Sequence, residues 1–294
     1  MDWVPLFFID DVCHQLLSDS LAAVSQLSGS WSEFGAEHGK TRRDLHFTYE
    51  LENHEVNYSF RNAINWIFSE VIVKDKLNLE YDRIVSVTCN YGRSSDIRVS
   101  LNEFRRDVLP VIASLVGNCS WNYCKPGRSA MNLIVFDAFK NCPGFNVIEF
   151  PEQCQEMREF VARQVELANV KSLCLRNCKP ITWTEIGKFA ETLETFVRSA
   201  RFHKLDAPGP LPNDFQLFEV FLERALAGEL KRGARLSLQP TSFDLSRLGA
   251  LHPEYRDDSM NIRTSRKSIE WRIPNSIRRI RYEPLTSTKQ LYVY

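Results

Sequence analysis

Eight cysteines and six histidines are among the side chains in this sequence that could bind a metal or act as nucleophiles. Only two cysteine pairs lie close together, Cys119 with Cys124 and Cys174 with Cys178. Neither has the Cys-x-x-Cys spacing that opens most structural zinc sites, and no second pair with histidine follows. His14, His38, His46, His54, His203 and His252 are spread along the chain and form no His-Glu-x-x-His helix. A glycine-rich phosphate loop and a Gly-x-Ser-x-Gly elbow are missing too. No catalytic residue, metal ligand or cofactor is therefore assigned, and the chain is expected not to be an enzyme; an unrecognised catalytic family would need a buried cluster of titratable groups in a pocket. Asn57-Tyr-Ser and Asn118-Cys-Ser match the glycosylation triplet, which an intracellular chain would not use. One basic cluster stands out, made of Arg263, Arg266, Lys267, Arg272, Arg278, Arg279 and Arg281. Phosphate or nucleic acid could be held by such charges. The expectation is instead a solvated hairpin face whose charges guard an edge strand, with nucleic acid an unlikely partner.

The elements that would position any site follow from composition and periodicity. With 294 residues, 44% of them apolar, the chain can bury a sizeable core as one domain or as a small module plus a larger one. Lys and Arg balance Asp and Glu at 37 each, so no net field recruits nucleic acid or anionic membrane. The opening Met1-Asp2-Trp3 shows no secretory leader, no apolar run reaches the roughly 18 residues of a membrane span, and the cysteines are read as reduced thiols in cytosol or nucleus.

At the N-terminus, Pro5 is placed to open a helix, and Phe8, Ile9, Val12, Cys13, Leu16 and Leu17 recur on one stripe. Ser18 or Asp19 can cap a second helix carrying Leu21, Val24 and Leu27. About 40 residues cannot bury so much apolar surface alone. A partner or the rest of the chain must cover it. From Thr48 to Leu79 a strand pair is expected, then a helix carrying Phe60, Ile64, Ile67, Phe68 and Val71.

Farther on, Val170-x-x-Leu173-x-Leu175-x-x-Cys178-x-x-Ile181 fits the leucine-rich-repeat template, with Cys at its usual Asn/Cys position. A helical stripe from Ile186 to Val197 follows. Strand-like cores recur at Phe145-x-x-Ile148-x-Phe150, Phe202-x-x-Leu205 and Leu236-x-Leu238, with Trp121-x-Tyr123 before them. Helical stripes of Met157, Phe160, Val161 and Val165, and of Phe215, Phe218, Phe221, Leu222 and Ala225, separate them. Ile84 to Val87 begins the series as a strand, and a helix from Leu101 to Val116 is kinked or split by Pro110. Residues from roughly 80 to 250 therefore read as an irregular repeat-like α/β solenoid, or else as a non-repetitive open α/β domain of the same class. Ile269 to Ile273 and Ile277 to Tyr282 alternate with period two around Pro274-Asn275-Ser276, a β-hairpin, and Leu291 to Tyr294 suggests a last edge strand.

The first thirty-odd residues resemble an F-box. Pro5 to Leu21 and Leu21 to Trp31 keep that module's spacings, while Val4, Phe7, Ser20 and Ser30 depart from its usual residues. With the opening Met-Asp-x-Val-Pro, the divergent strand-helix region and the hairpin, the chain resembles nematode F-box-like proteins. The resemblance implies α/β architecture in three parts: an F-box-like helical module over 1–45, a leucine-rich-repeat-like region over 46–250, and a hairpin segment over 251–294. It implies a non-enzymatic substrate receptor whose module binds a Skp-type adaptor of a cullin-RING ubiquitin ligase, with Val4, Pro5, Phe8, Ile9, Val12, Leu16, Leu17, Leu21 and Trp31 at the matching positions. An unknown protein target would lie on the strand face of the solenoid, against Lys171, Ser172 and Cys174 on one strand and Asn146, Val147 and Glu149 on its neighbour. The alternative is an interaction solenoid with no ligase role, capped by its N-terminal helices.

Overall fold

The computed structural model describes residues 4–16, 18–52, 54–64, 69–89, 97–123, 129–150, 155–175, 183–208, 211–239, 245–257, 269–284 and 289–294. Its fold is mixed α/β, with a helical module at the N-terminus and an antiparallel hairpin near the C-terminus. Contacts divide the chain into two compact units, Met1–Phe145 and Asn146–Tyr294. That division falls within the stretch read from the sequence as a single repeat region.

The first unit opens with α1 (Leu6–Gln15), α2 (Ser18–Val24) and α3 (Ser30–Thr41). Pro5 caps α1, and its carbonyl accepts from the Phe8 and Ile9 amides at 3.0 and 3.2 Å. The second helix ends at Val24, so Leu27, expected on its stripe, lies beyond it and is exposed. Next come β1 (Asp44–Glu52), β2 (Glu55–Asn62), β3 (Arg83–Cys89), β4 (Ile97–Ser100), α4 (Leu101–Glu103), a π-helical turn (Phe104–Val108), α5 (Leu109–Leu115), β5 (Val116–Tyr123) and α6 (Ser129–Phe139). Strand β1 pairs antiparallel with β2 and parallel with β3, which in turn pairs parallel with β5; β4 joins β2 antiparallel.

At Phe60, where a helix running on to Val71 was expected to begin, the chain is strand. Phe60 lies in β2 opposite Phe47, Ile72 bridges back to it, and Ile64 is exposed; Ile67 and Phe68 lie outside the described residues. Cross-strand aromatic packing overrode the helical spacing: Phe47 of β1 contacts Phe60 at 5.0 Å. Pro110 splits its helix as expected, in the form of a π turn. Leu109 donates its amide to Phe104, five residues back, just before the proline that has no amide to donate.

In the second unit the order is β6 (Phe145–Phe150), α7 (Gln155–Glu166), β7 (Ser172–Leu175), α8 (Trp183–Arg198), β8 (Lys204–Pro208), α9 (Asp214–Leu226), β9 (Arg235–Gln239), α10 (Leu245–Gly249), β10 (Ile269–Arg272), β11 (Arg279–Pro284) and β12 (Lys289–Val293). Strands β6, β7, β8 and β9 are parallel and lie side by side in chain order. Their register aligns Ile148, Leu173, Leu205 and Leu236, the positions that the recurring sequence cores align. Strand β10 pairs with β11 from Ile269↔Tyr282 to Arg272↔Arg279, which is the hairpin. The last strand is not an edge: β12 pairs antiparallel with both β11 and β9. Alternation marks a strand but is blind to how many neighbours it has.

Pairing extends the apolar row across seven strands as Ile148, Leu173, Leu205, Leu236, Leu291, Tyr282 and Ile269, all buried. Helices cover this face. Phe160 of α7 packs on Phe150 at 6.2 Å, and Phe218 of α9 on Tyr282 at 6.3 Å. The side chains one residue out of phase must point the other way.

Candidate protein-interaction surfaces

Two surfaces collect the positions singled out from the sequence. In the helical module, Ile9, Cys13 and Leu21 form a buried core, against which Val4, Leu16, Val24, Trp31 and Phe34 pack. Five of the nine expected adaptor contacts, Val4, Ile9, Leu16, Leu21 and Trp31, thus hold the module together. Pro5 and Phe8 are exposed, Val12 is half-buried, and Leu17 lies outside the described residues. The sequence stripe did not mark Leu6 and Phe7, yet with Phe8 they form an exposed apolar run at 57, 72 and 48%. They lie in the first turn of α1, off the stripe that Ile9 and Cys13 bury.

Polar contacts lock this module to the rest of its unit. The Leu16 carbonyl, at the end of α1, accepts from Arg42 Nη1 at 2.5 Å and from Arg83 Nη1 at 2.8 Å. Carbonyls at a helix C-terminus carry partial negative charge, which cations offset. Arg83 is buried at the start of β3, and desolvation there lowers its pKa to about 10, aided by the nearby Arg42 charge. A bulge makes the space: the β3–β5 register slips between Ile84↔Val116 and Ser86↔Ser120, Asn118 takes φ 49°, and a Cβ on Gly117 would collide with the Arg83 guanidinium. Across the bundle His38 of α3 donates from Nε2 to Asp10 Oδ1 at 2.7 Å, and its ring meets Tyr81 edge-on at 5.1 Å. His14 is held below its ordinary pKa by burial and by the Arg83 charge.

The second surface is the sheet face opposite the helices in the second unit. Cross-strand pairing aligns Val147, Ser172, Lys204, Arg235, Tyr292, Arg281 and Glu270 in one row, and Glu149, Cys174, Asp206, Ser237, Gln290 and Glu283 in the next. Val147, Glu149, Ser172 and Cys174, expected as target contacts, do share this face. Cys174 is buried in it, with its thiol 3.8 Å from Asp206 Oδ2, while Asn146 and Lys171 lie at the strand starts. Asp206 pairs with Lys204 and Arg235, each at 2.9 Å. Burial pushes the Asp206 carboxyl up, but the Lys204 hydrogen bond and the Arg235 charge outweigh it and hold it below its ordinary value.

At the other end of the rows, Arg281 pairs with the buried Glu270 and lies over the Tyr294 ring at 4.9 Å. Tyr294 donates its hydroxyl to Glu270 at 3.0 Å, and Tyr292 donates to Glu283 at 2.8 Å. Burial and the Glu283 bond raise the Tyr292 pKa to about 12. Asp257 takes Arg272 and Arg279, at 2.8 and 2.7 Å. Three arginines of the basic cluster are therefore matched by carboxylates of the same unit. Arg263, Arg266 and Lys267 lie outside the described residues. Lys204, Arg235, Tyr292 and Tyr294 escaped the sequence reading, although Leu236, Leu238, Leu291 and Val293 mark their faces by alternation.

Among the described residues no three His, Cys, Asp or Glu side chains are grouped to hold a metal ion, and no helix is long and apolar enough to cross a membrane. No protein-family model, no curated protein and no solved structure matches the chain.

Proposed function

We propose that this protein is a non-enzymatic adaptor, an F-box-like receptor that binds a Skp-type protein of a cullin-RING ubiquitin ligase through its first helix and a protein target through the polar sheet face of its second unit. The observation that carries the reading is the run Leu6, Phe7 and Phe8, exposed on α1 although the module has its own apolar core. Burying such a side chain yields about 1.5 to 3 kcal/mol, so three leave a large unmet driving force for association. The resemblance of the N-terminal spacings to an F-box supplies the kind of partner. The mechanism is scaffolding: holding a target beside a ligase raises its effective concentration, with no bond made or broken by this chain.

Sequential parallel strands, their matched register, and α8 packed between α7 and α9 support a leucine-rich-repeat-like stacking of the second unit. Cys178 of that template lies outside the described residues. Tyr and Arg, the residue types that most often dominate binding energy, are concentrated on the polar face at Tyr292, Tyr294, Arg281 and Arg235. A capped interaction protein without a ligase role is the second reading. It is favoured by the Arg42 and Arg83 bonds to Leu16, which make the helices an integral part of their unit.

A pull-down of the full chain with a purified Skp-type adaptor distinguishes the two, comparing wild type with Phe7→Glu/Phe8→Glu. Adaptor bound by wild type and lost from the variant, with unchanged circular dichroism, supports the ligase reading. No binding by wild type leaves the capped interaction protein. Leu16→Asp is unsuitable as a test, because Leu16 packs in the module's core.

A further inference from the structure

The turns entering β7, β8 and β9, together with the β10–β11 hairpin turn, bring to one end of the second unit a set of cations scattered in the sequence. Lys171 precedes β7, Arg201 lies in the turn before β8, Lys231 and Arg232 lie in the turn before β9, and Arg278 ends the hairpin turn. Backbone bonds show that these turns are contiguous. The Lys171 carbonyl accepts from the His203 amide at 2.8 Å, the His203 carbonyl accepts from Arg235 at 2.9 Å, and the Gly233 amide donates to Val293 at 2.8 Å. Arg278 Nη1 donates to the Leu230 carbonyl at 2.8 Å, pinning the hairpin turn beside Lys231.

Three carboxylates on the elements beside these turns are already committed. Asp206 is paired with Lys204 and Arg235, Glu229 with Arg224, and Glu194 with Arg198. Among the described residues Lys171, Arg201, Lys231, Arg232 and Arg278 form no ion pair, and the first four are exposed. In a chain whose charges cancel overall, this is a local excess. Beside Arg278 stands Ile277, 100% exposed.

We propose that this cationic rim is a docking surface for an acidic protein segment that carries aliphatic side chains. Charge complementarity sets the sign of the partner. Ile277 sets its second property, since an isolated aliphatic side chain amid cations is suited to a peptide side chain. A single-stranded nucleic acid interface adds exposed aromatic rings on which bases stack; within these turns Phe202 is buried and the His203 imidazole is the exposed ring, so single-stranded DNA is a comparator in the test. Strands lie about 4.8 Å apart, so the starts of β7, β8 and β9 and the hairpin span roughly 20 Å, the length of about six extended residues. The surface shares no residue with α1, and the proposal does not depend on the ligase reading.

The test is fluorescence anisotropy on the full chain with a labelled dodecapeptide of Glu-Glu-Leu repeats, against a Gln-Gln-Leu peptide and a 12-nucleotide single-stranded DNA. Lys231→Glu/Arg232→Glu probes the rim, with Arg105→Glu on the first unit as control. The expected result is binding of the acidic peptide in preference to both comparators, weakened about tenfold by the double reversal and by raising salt from about 0.05 to 0.3 M, with thermal melting and the control unchanged. Equal binding of the glutamine peptide, indifference to the double reversal, or tighter binding of the DNA would each overturn the assignment.

Discussion

His46 shows what a single buried side chain imposes. It lies in β1, and burial lowers its pKa from the ordinary 6.5 to about 4. The folded chain therefore takes up the proton less readily than the unfolded chain, and the His46 contribution to stability falls as pH drops from about 6.5 to about 4 and then levels off, while Asp206, held below its ordinary value, adds a further loss at lower pH. The loss expected over this window is about 3 kcal/mol, read as ΔG of urea unfolding at a series of pH values. His46→Gln flattens most of the curve over this window; the part that remains there belongs to His14, whose pKa is also lowered by burial. Gly117 carries a second constraint. Gly117→Ala drives a methyl into the Arg83 guanidinium and is expected to cost about 1 to 3 kcal/mol. An unchanged melting temperature would show that Arg83 can move aside, and so would loosen its proposed hold on Leu16.

Among the elements, helices α2 and α3 meet through Gly35, where a Cβ would lie 2.8 Å from the Ser25 amide and 2.9 Å from Val24 Cγ1. Gly35→Ala is expected to push α3 off α2, lowering thermal stability by about 1 to 3 kcal/mol despite alanine's better helix propensity. In the second unit, Glu270 is the carboxylate that β10 offers to Arg281 and Tyr294. Glu270→Ala takes the acceptor from Tyr294 and leaves Arg281 with Glu283 at 3.5 Å, at a cost of about 2 kcal/mol, below that of a fully buried pair because Arg281 keeps part of its hydration and its second carboxylate. Loss of hydrogen-exchange protection in β10 and β11 is the readout. Element type was largely legible in the sequence wherever apolar residues kept one period, as in α7, α8, α9 and β6 to β9. It was misread at Phe60, where the helical spacing began on a strand residue whose aromatic partner Phe47 lies in β1. The third helix, α3, escaped notice because its buried positions include Gly35 and His38, which do not read as an apolar stripe.

Over the whole molecule, the N-terminal helices and the sheet of the first unit are joined by charged donors at one carbonyl. Deleting residues 1–41 leaves Arg83 buried without its Leu16 acceptor; hydrogen bonds to charged groups contribute about 1.5 to 3 kcal/mol each. The shortened chain is expected to melt lower and to lose exchange protection in β1 and β3, and Arg83→Met to restore part of it. If the shortened chain is as stable as the full one, the helices are an appended module rather than a cap. The sequence by itself determined the local periods, the alternation of strand and helix, the aligned leucine positions of β6 to β9 and the hairpin, because each depends on residues close together in the chain. Only the tertiary structure decided that β12 lies between β11 and β9, that Arg83 reaches Leu16, that the C-terminal arginines meet Asp257, Glu270 and Glu283, and that Lys171, Arg201, Lys231, Arg232 and Arg278 share one rim. Those are encounters between residues far apart in sequence, set by which strands pair and in what register, and no local pattern encodes them.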